Sequence, residues 1–285
     1  MRWYVRTVLQ CLSEETTNGV HEVQPTNSNS SITNRDRLRP PVFVIGAPRS
    51  GTTYLIEVLN KHEDVLITNE LRVMTFMNRV FSRTASDKWI LLNGRKQFIQ
   101  HLYDEMPIVI EDFYRSLGAS ESTIWGDKNP HYADSKTDPE CLGLIDRMFP
   151  NAQFINIVRD GRAVVASLLN RGWVEFEEAI DVWKRHVTHA DQFIQTVGSE
   201  RAVTIRYEDI VNDAIRTTDG VFEFLGLTAS NSVIQFLKEQ EQRRTPFSGP
   251  TSLNSSGSAG FGLEPKRLNA VEDAMGGMLR RLGYR

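Results

Sequence analysis

Apolar residues in this chain fall into short unbroken runs, separated by stretches in which they recur at helical spacing. Val42-Phe43-Val44-Ile45 is continuous and apolar, the pattern of a parallel strand buried on both faces. A glycine-containing loop follows, and over residues 53–61 the apolar positions Leu55, Val58 and Leu59 gather on one side of a helix. Further runs at 65–67, 154–158 and 203–205 read as strands. Residues 162–171 read as a helix. From Phe176 the positions Ile180, Trp183, Val187, Ala190, Ile194 and Val197 recur every three or four residues, which predicts a long helix turning that stripe into the core. Residues 221–225 belong to a helix ended by Gly226, 245–262 is a loop rich in Ser, Gly and Pro, and 268–282 is a last helix. Strands alternating with helices predict an α/β fold, a P-loop-like parallel central sheet flanked by helices. Residues 71–120 carry scattered aromatics without glycine punctuation, and predict a helical region forming the acceptor-side wall of a cleft.

Residues 24–39 are polar and bury too little apolar surface to offset their ordering entropy, so they read as a linker closed by Pro40 and Pro41. Before them, residues 1–12 mix Arg2 and Arg6 with Trp3, Tyr4, Val5, Val8 and Leu9. That mixture predicts a short amphipathic helix, packed on the domain or lying on a membrane surface or partner. It lacks the apolar stretch and cleavage site of a signal peptide. The expected organisation is an N-terminal extension and linker over 1–40, then a single domain over 41–285.

Composition narrows the function classes. A formal net charge of −3 over 285 residues argues against a general nucleic-acid binder, which needs a basic surface. No apolar run approaches the length of about 18 residues that suggests a transmembrane helix. Cys11 and Cys141 stand far apart with no metal-ligand spacing, so the expectation is a reducing, cytoplasmic location and no metal.

The loop after the first strand has the frame Gly-x-x-x-x-Gly, from Gly46 to Gly51. Its N–H groups and the start of the next helix form a nest for a phosphate. The lysine that reaches the β- and γ-phosphates in a Walker loop is missing, and the cation, Arg49, sits inside the loop. Ser50, Thr52 and Thr53 add hydroxyl donors. A second anion site is expected at Arg159, at the carboxyl end of a buried strand, with Ser167 and its i+4 neighbour Arg171 on the following helix. Asp160 and Arg162 read as a pair at the helix start.

PRSGTT after a strand, with VRDGRAVVASLLNR about 110 residues later, resembles the sulfotransferase superfamily, most closely its tyrosylprotein sulfotransferases and related bacterial members. The similarity spans residues 42–227. It implies that Pro48, Arg49, Ser50, Gly51, Thr52 and Thr53 cradle the 5′-phosphosulfate of 3′-phosphoadenosine 5′-phosphosulfate (PAPS, leaving PAP as product). It also implies that Arg159, Ser167 and Arg171 hold the 3′-phosphate and that Tyr207 touches the nucleotide. Lys128, in Trp125-Gly126-Asp127-Lys128-Asn129-Pro130, matches the family's lysine before a proline, and with Arg49 supplies cations to the leaving group. Glu70 holds the place of the family's base, although Asn69 stands where those relatives carry a second Glu. His131 is the rival base, and His62 matches a packing histidine. A glycine-rich segment at 255–262 with Lys266 or Arg267 matches the element that closes the 3′-phosphate site in relatives, without its usual tryptophan.

A P-loop kinase using ATP and a non-catalytic nucleotide-binding module stay as alternative readings. A kinase needs the missing lysine and a metal-binding Asp at a strand end, whereas Arg159 suits an anion; a binding module has no need of Glu70 and Lys128. The acceptor is a hydroxyl on a small molecule, carbohydrate or natural product, or on peptidyl tyrosine. Trp89, Tyr103, Phe113, Tyr114 and Trp125 are the aromatics on its side of the cleft, or else part of the core.

Overall fold

The sheet is built from the short apolar runs, and its order explains why chemistry gathers at one edge. The computed structural model describes residues 37–86, 95–243 and 261–284. The strands are β1 (Val42–Ile45), β2 (Val65–Asn69), β3 (Ile124–Lys128), β4 (Gln153–Val158) and β5 (Ala202–Arg206). All pair in parallel, in the order β2-β3-β1-β4-β5. β1 is central, and Val44 lies in register with Lys128 on one side and Ile155 on the other.

The helices are α1 (Thr52–Leu59), α2 (Val73–Ser86), α3 (Arg95–Ser116), α4 (Cys141–Met148), α5 (Gly161–Asn170), α6 (Phe176–Val197), α7 (Tyr207–Asn212), α8 (Ala214–Phe224), α9 (Asn231–Arg243) and α10 (Pro265–Arg281). A 3-10 turn, Pro130–Ala133, follows β3. Strand residues alternate between two helical layers, as the period of two requires. Phe43, Ile45 and Phe154 pack with α2, α3, α4 and one end of α6. Val42, Val44, Ile155 and Ile157 pack with α1, α7, α8 and α9. A third cluster joins α5, α6 and α10 around Trp183. The stripe predicted for α6 is its core face: Ile180, Trp183, Val187 and Ala190 are buried, with Phe176, Ile194 and Val197 partly so.

The main departure from the sequence pattern is β3. Its sequence, IWGDK, carries a glycine, an acid and a base, and gives no apolar signal. A Cβ on Gly126 would lie 1.8 Å from the Val42 carbonyl oxygen, so the glycine is what lets β3 approach β1. All five residues are buried, and Lys128 is 1% exposed rather than lying in an open loop. Helices α4 and α9 also went unread. The helical expectation for 71–120 holds in α2 and α3; Tyr114 and Trp125 are core, 4.7 Å apart, while Trp89 lies outside the described residues. The amphipathic segment 1–12 and the linker 24–36 also lie outside them. From Arg37 onward the chain is packed: Leu38 is buried, Trp125 Nε1 donates to the Arg39 carbonyl (2.6 Å), and Arg39 donates to the Leu225 carbonyl (3.0 Å).

Candidate active site

Each of the five strands ends, at its carboxyl edge, in a residue singled out from the sequence: the 46–51 loop after β1, Glu70 after β2, Lys128 on β3, Arg159 after β4 and Tyr207 after β5. A parallel sheet has its strand carboxyl ends on one side, and there the order reverses around the central strand, where open α/β sheets bind ligands. The fold therefore gathers groups that lie far apart in sequence, from the 46–51 loop to Tyr207.

In the loop, Ser50 N–H donates to the Ala47 carbonyl (3.1 Å) and closes a turn in which Arg49 adopts φ 71° and Gly51 φ 95°. The Gly51 conformation favours glycine, and a Cβ there would lie 2.3 Å from the Tyr207 ring. Tyr207 thus packs directly beneath the loop. No side chain caps the start of α1, whose first-turn N–H groups point at the loop. The Ser50 hydroxyl is buried without a hydrogen-bond partner. Open N–H groups beside an unpartnered hydroxyl are donors of the kind a phosphate accepts from.

Arg159 extends from β4 into the same place. Its Nη1 donates to the Arg49 carbonyl (3.0 Å), its guanidinium lies 4.3 Å from the Tyr207 ring centroid, and its Nε is buried without a partner. The Arg159 carbonyl accepts from Trp183 Nε1 (3.0 Å), which fixes the strand end against α6. Arg49 Nε donates to Ser167 Oγ on α5 (3.0 Å), joining the two predicted anion sites. Arg171 caps the far end of α5 and is exposed. Burial, with Arg171 and Arg159 close by, lowers the Arg49 pKa from its ordinary value. Among the described residues no carboxylate pairs with Arg49, Arg159 or Arg171. Three converging guanidiniums with no counter-charge favour a polyanion. By contrast, Asp160 and Arg162 pair at 2.7 Å, Asp160 caps α5, and Arg162 reaches Glu272, a structural set as expected.

On the other flank, Lys128 Nζ lies 2.9 Å from Glu70 Oε1. The buried ammonium is matched by a carboxylate whose side chain is 39% exposed, open on its far side. Glu70 takes φ 58° and donates its N–H to the Lys128 carbonyl (2.7 Å), one step past the last β2–β3 pair. His131 is the second residue of the 3-10 turn, its N–H held by Asn129 Oδ1, and no hydrogen bond joins it to Glu70 or Lys128. His62 is a packing residue: Nδ1 accepts from Asp64 N–H (3.0 Å), so Nε2 donates to the Thr228 carbonyl (3.1 Å). Of the C-terminal closing segment, 255–260 lie outside the described residues. Phe261 packs on Ala163 and Ala166 of α5, and Arg267 stacks on Phe176.

Two residues here escaped the sequence reading. Trp173, 57% exposed, sets its ring 5.5 Å from the Arg49 guanidinium. Asp127 is buried beside Lys128 with several donors. Asp127 had a signal, its place in the Trp125–Pro130 motif, but Trp173 had none beyond closeness to Arg171.

The family profile described as "Sulfotransferase family" matches residues 40–231. Protein-tyrosine sulfotransferase A of Caenorhabditis elegans is 24% identical over 270 residues, covering 87% of this chain and 68% of the relative. Protein-tyrosine sulfotransferase of Drosophila melanogaster is 26% identical over 219 residues, covering 73% of this chain and 42% of the relative. The chain thus spans between 42% and 68% of the length of these two relatives. The sulfotransferase domain from the curacin biosynthetic pathway superposes with a TM-score of 0.57 at 18% identity, covering 87% of this chain and 99% of that domain; the likeness is one of fold. The cytoplasmic location expected from the cysteine count does not stand beside these relatives, because protein-tyrosine sulfotransferases act in the Golgi. No described helix is long and apolar enough to cross a membrane, which does not point to the cytosol.

Proposed function

Because this chain belongs to the sulfotransferase family, we propose that it transfers a sulfuryl group from PAPS to an acceptor hydroxyl, using the groups at the carboxyl edge of its sheet. In this reading residues 48–53 and the start of α1 hold the 5′-phosphosulfate, Arg159, Ser167 and Arg171 hold the 3′-phosphate, and Tyr207 supports the nucleotide. The observation that carries it is the set of three arginines without a carboxylate, beside an uncapped helix start and the partnerless Ser50 hydroxyl. A donor with phosphates at both ends of its ribose suits two anion sites joined by the Arg49–Ser167 hydrogen bond.

The bound donor supplies the activated sulfuryl group. Glu70 accepts the proton from the acceptor hydroxyl as its oxygen attacks sulfur in line. Lys128 and Arg49 stabilise the charge that gathers on the departing 5′-phosphate as the sulfur–oxygen bond breaks. The Lys128–Glu70 contact holds base and cation side by side before the acceptor arrives. The acceptor is hydroxyl-bearing, and the activity named for the relatives favours a tyrosine side chain in a peptide. The exposed Asn69 stands beside Glu70 on that side.

Thermal unfolding with adenosine 3′,5′-bisphosphate, compared with ATP and magnesium, tests the donor assignment. A ligand at 100 times its Kd stabilises by about 2.7 kcal/mol. The bisphosphate is expected to raise the Tm clearly and ATP with magnesium much less. A shift with ATP alone overturns the reading.

A further inference from the structure

A buried carboxylate, Asp127, bonds the turn that carries Glu70 and makes none of its hydrogen bonds to either anion site. Asp127 is 3% exposed, and its carboxylate collects three donors from three segments: the Thr68 hydroxyl of β2 at Oδ1 (2.7 Å), the Leu71 backbone N–H at Oδ1 (3.2 Å) and the Tyr132 hydroxyl of the 3-10 turn at Oδ2 (2.6 Å). Tyr114 completes the set, donating to the Gly126 carbonyl (2.6 Å) beside Thr68. Burial raises the Asp127 pKa from its ordinary value, although Tyr132, Thr68, Leu71 and Lys128 all pull it down.

The Leu71 contact bears most directly on the site. Glu70 and Arg72, on either side of it, take φ 58° and 61°, conformations that residues with a Cβ disfavour. The side chains of Glu70, Leu71 and Arg72 are all exposed, so packing does not hold this turn. Hydrogen bonds do: Glu70 N–H to the Lys128 carbonyl, Leu71 N–H to the Asp127 carboxylate, and Phe76 N–H to the Arg72 carbonyl, of which the Asp127 bond alone comes from a side chain. Strand alternation sends Asp127 and Lys128 to opposite faces. One residue therefore fixes the turn that carries Glu70 while its neighbour presents the ammonium to Glu70 at 2.9 Å.

We propose that Asp127 is a positioning residue for sulfuryl transfer: through Leu71, Thr68 and Tyr132 it holds the 70–72 turn so that Glu70 stays aligned with Lys128. The inference rests on Glu70 and Lys128 acting as base and cation.

Asp127→Asn keeps the shape but puts an amide donor where an acceptor oxygen stood, so at least one of the three donors loses its partner. Because a displacement of about 1 Å can cost about a hundredfold in rate, kcat is expected to fall roughly ten- to a hundredfold. The bisphosphate Kd, set at the anion sites, is expected to stay within about twofold. Tyr132→Phe and Thr68→Val each remove one donor and should show smaller kcat losses with the same unchanged Kd. They decide the matter if Asp127→Asn does not fold. Wild-type kcat in the folded variants overturns the proposal, as does a loss of kcat matched by equal losses of bisphosphate affinity and Tm. Glu70→Gln, measured alongside, separates the two ideas. If it is inactive while Asp127→Asn is fully active, only the positioning role falls. If it turns over normally, the base assignment falls with it.

Discussion

Single residues carry most of the chemistry, and several occupy conformations or environments that cost free energy. Arg49, Glu70 and Arg72 have positive φ, and Lys128 is a buried ammonium. Such costs concentrate where function needs fixed geometry. Glu70 gives the sharpest test at this scale. Glu70→Gln keeps the size of the side chain and its ability to accept from Lys128, but cannot take a proton at neutral pH. Sulfate transfer is expected to fall by about 10²–10⁴-fold while bisphosphate affinity is retained. Radiolabelled transfer with a tyrosine-containing peptide, run beside a binding titration, checks both halves; near wild-type turnover removes Glu70 as the base. The types of these residues were legible from the sequence, because the loop, the Arg159–Ser167 spacing and the lysine motif are local. Their contacts were not: nothing local joins Arg49 to Ser167 across 118 positions.

At the scale of elements, α6 braces the 3-10 turn that follows Lys128. Arg185 bonds buried Asp134 at 2.8 Å, and His189 lies 3.3 Å from the Ala133 carbonyl. His186, 1% exposed, donates from Nδ1 to the Val182 carbonyl (2.7 Å), leaving Nε2 buried without a partner. Protonating Nε2 would bury an unsatisfied N–H, and burial lowers its pKa to about 4 despite nearby Asp134, with Arg185 and His131 opposing the charge further. The ordinary value is 6.5. Between these two values the unfolded chain binds a proton that the folded one refuses. Stability is therefore full above pH 6.5 and falls as pH drops toward 4, by at most about 1.4 kcal/mol per unit from this group. Urea unfolding across that range, compared with His186→Gln, reads it out; the variant should show a flatter slope, and an identical slope rules the histidine out as the cause. Among elements, long periodic α6 and apolar β1, β4 and β5 could be read because their signal repeats within the element. β3 could not, because Gly126, Asp127 and Lys128 are chosen for neighbours and chemistry rather than for a buried surface.

For the whole molecule, a net charge of −3 coexists with a cluster of three arginines that pair with no carboxylate among the described residues, so the global balance conceals a local positive field. Attraction of a bisphosphate to that cluster should be screened by salt, since the Debye length shrinks from about 10 Å at 0.1 M to about 3 Å at 1 M. The Kd for adenosine 3′,5′-bisphosphate is expected to weaken roughly tenfold between 0.05 and 0.5 M NaCl. Arg171→Ala, which removes the exposed member, should reduce that dependence. Isothermal titration at several salt concentrations measures it, and a Kd indifferent to salt argues against the arginine cluster as the binding site. By itself the sequence determined the α/β alternation, the glycine frame after β1 and the kinship, and it named the residues proposed for the two anion sites. Each is written in contiguous residues or fixed short spacings. Only the tertiary structure decided that β3 lies between β1 and β2, that five strand ends converge on one edge, and that Asp127 reaches the turn bearing Glu70. Those relations depend on strand order and register, which arise from packing among segments far apart in the chain.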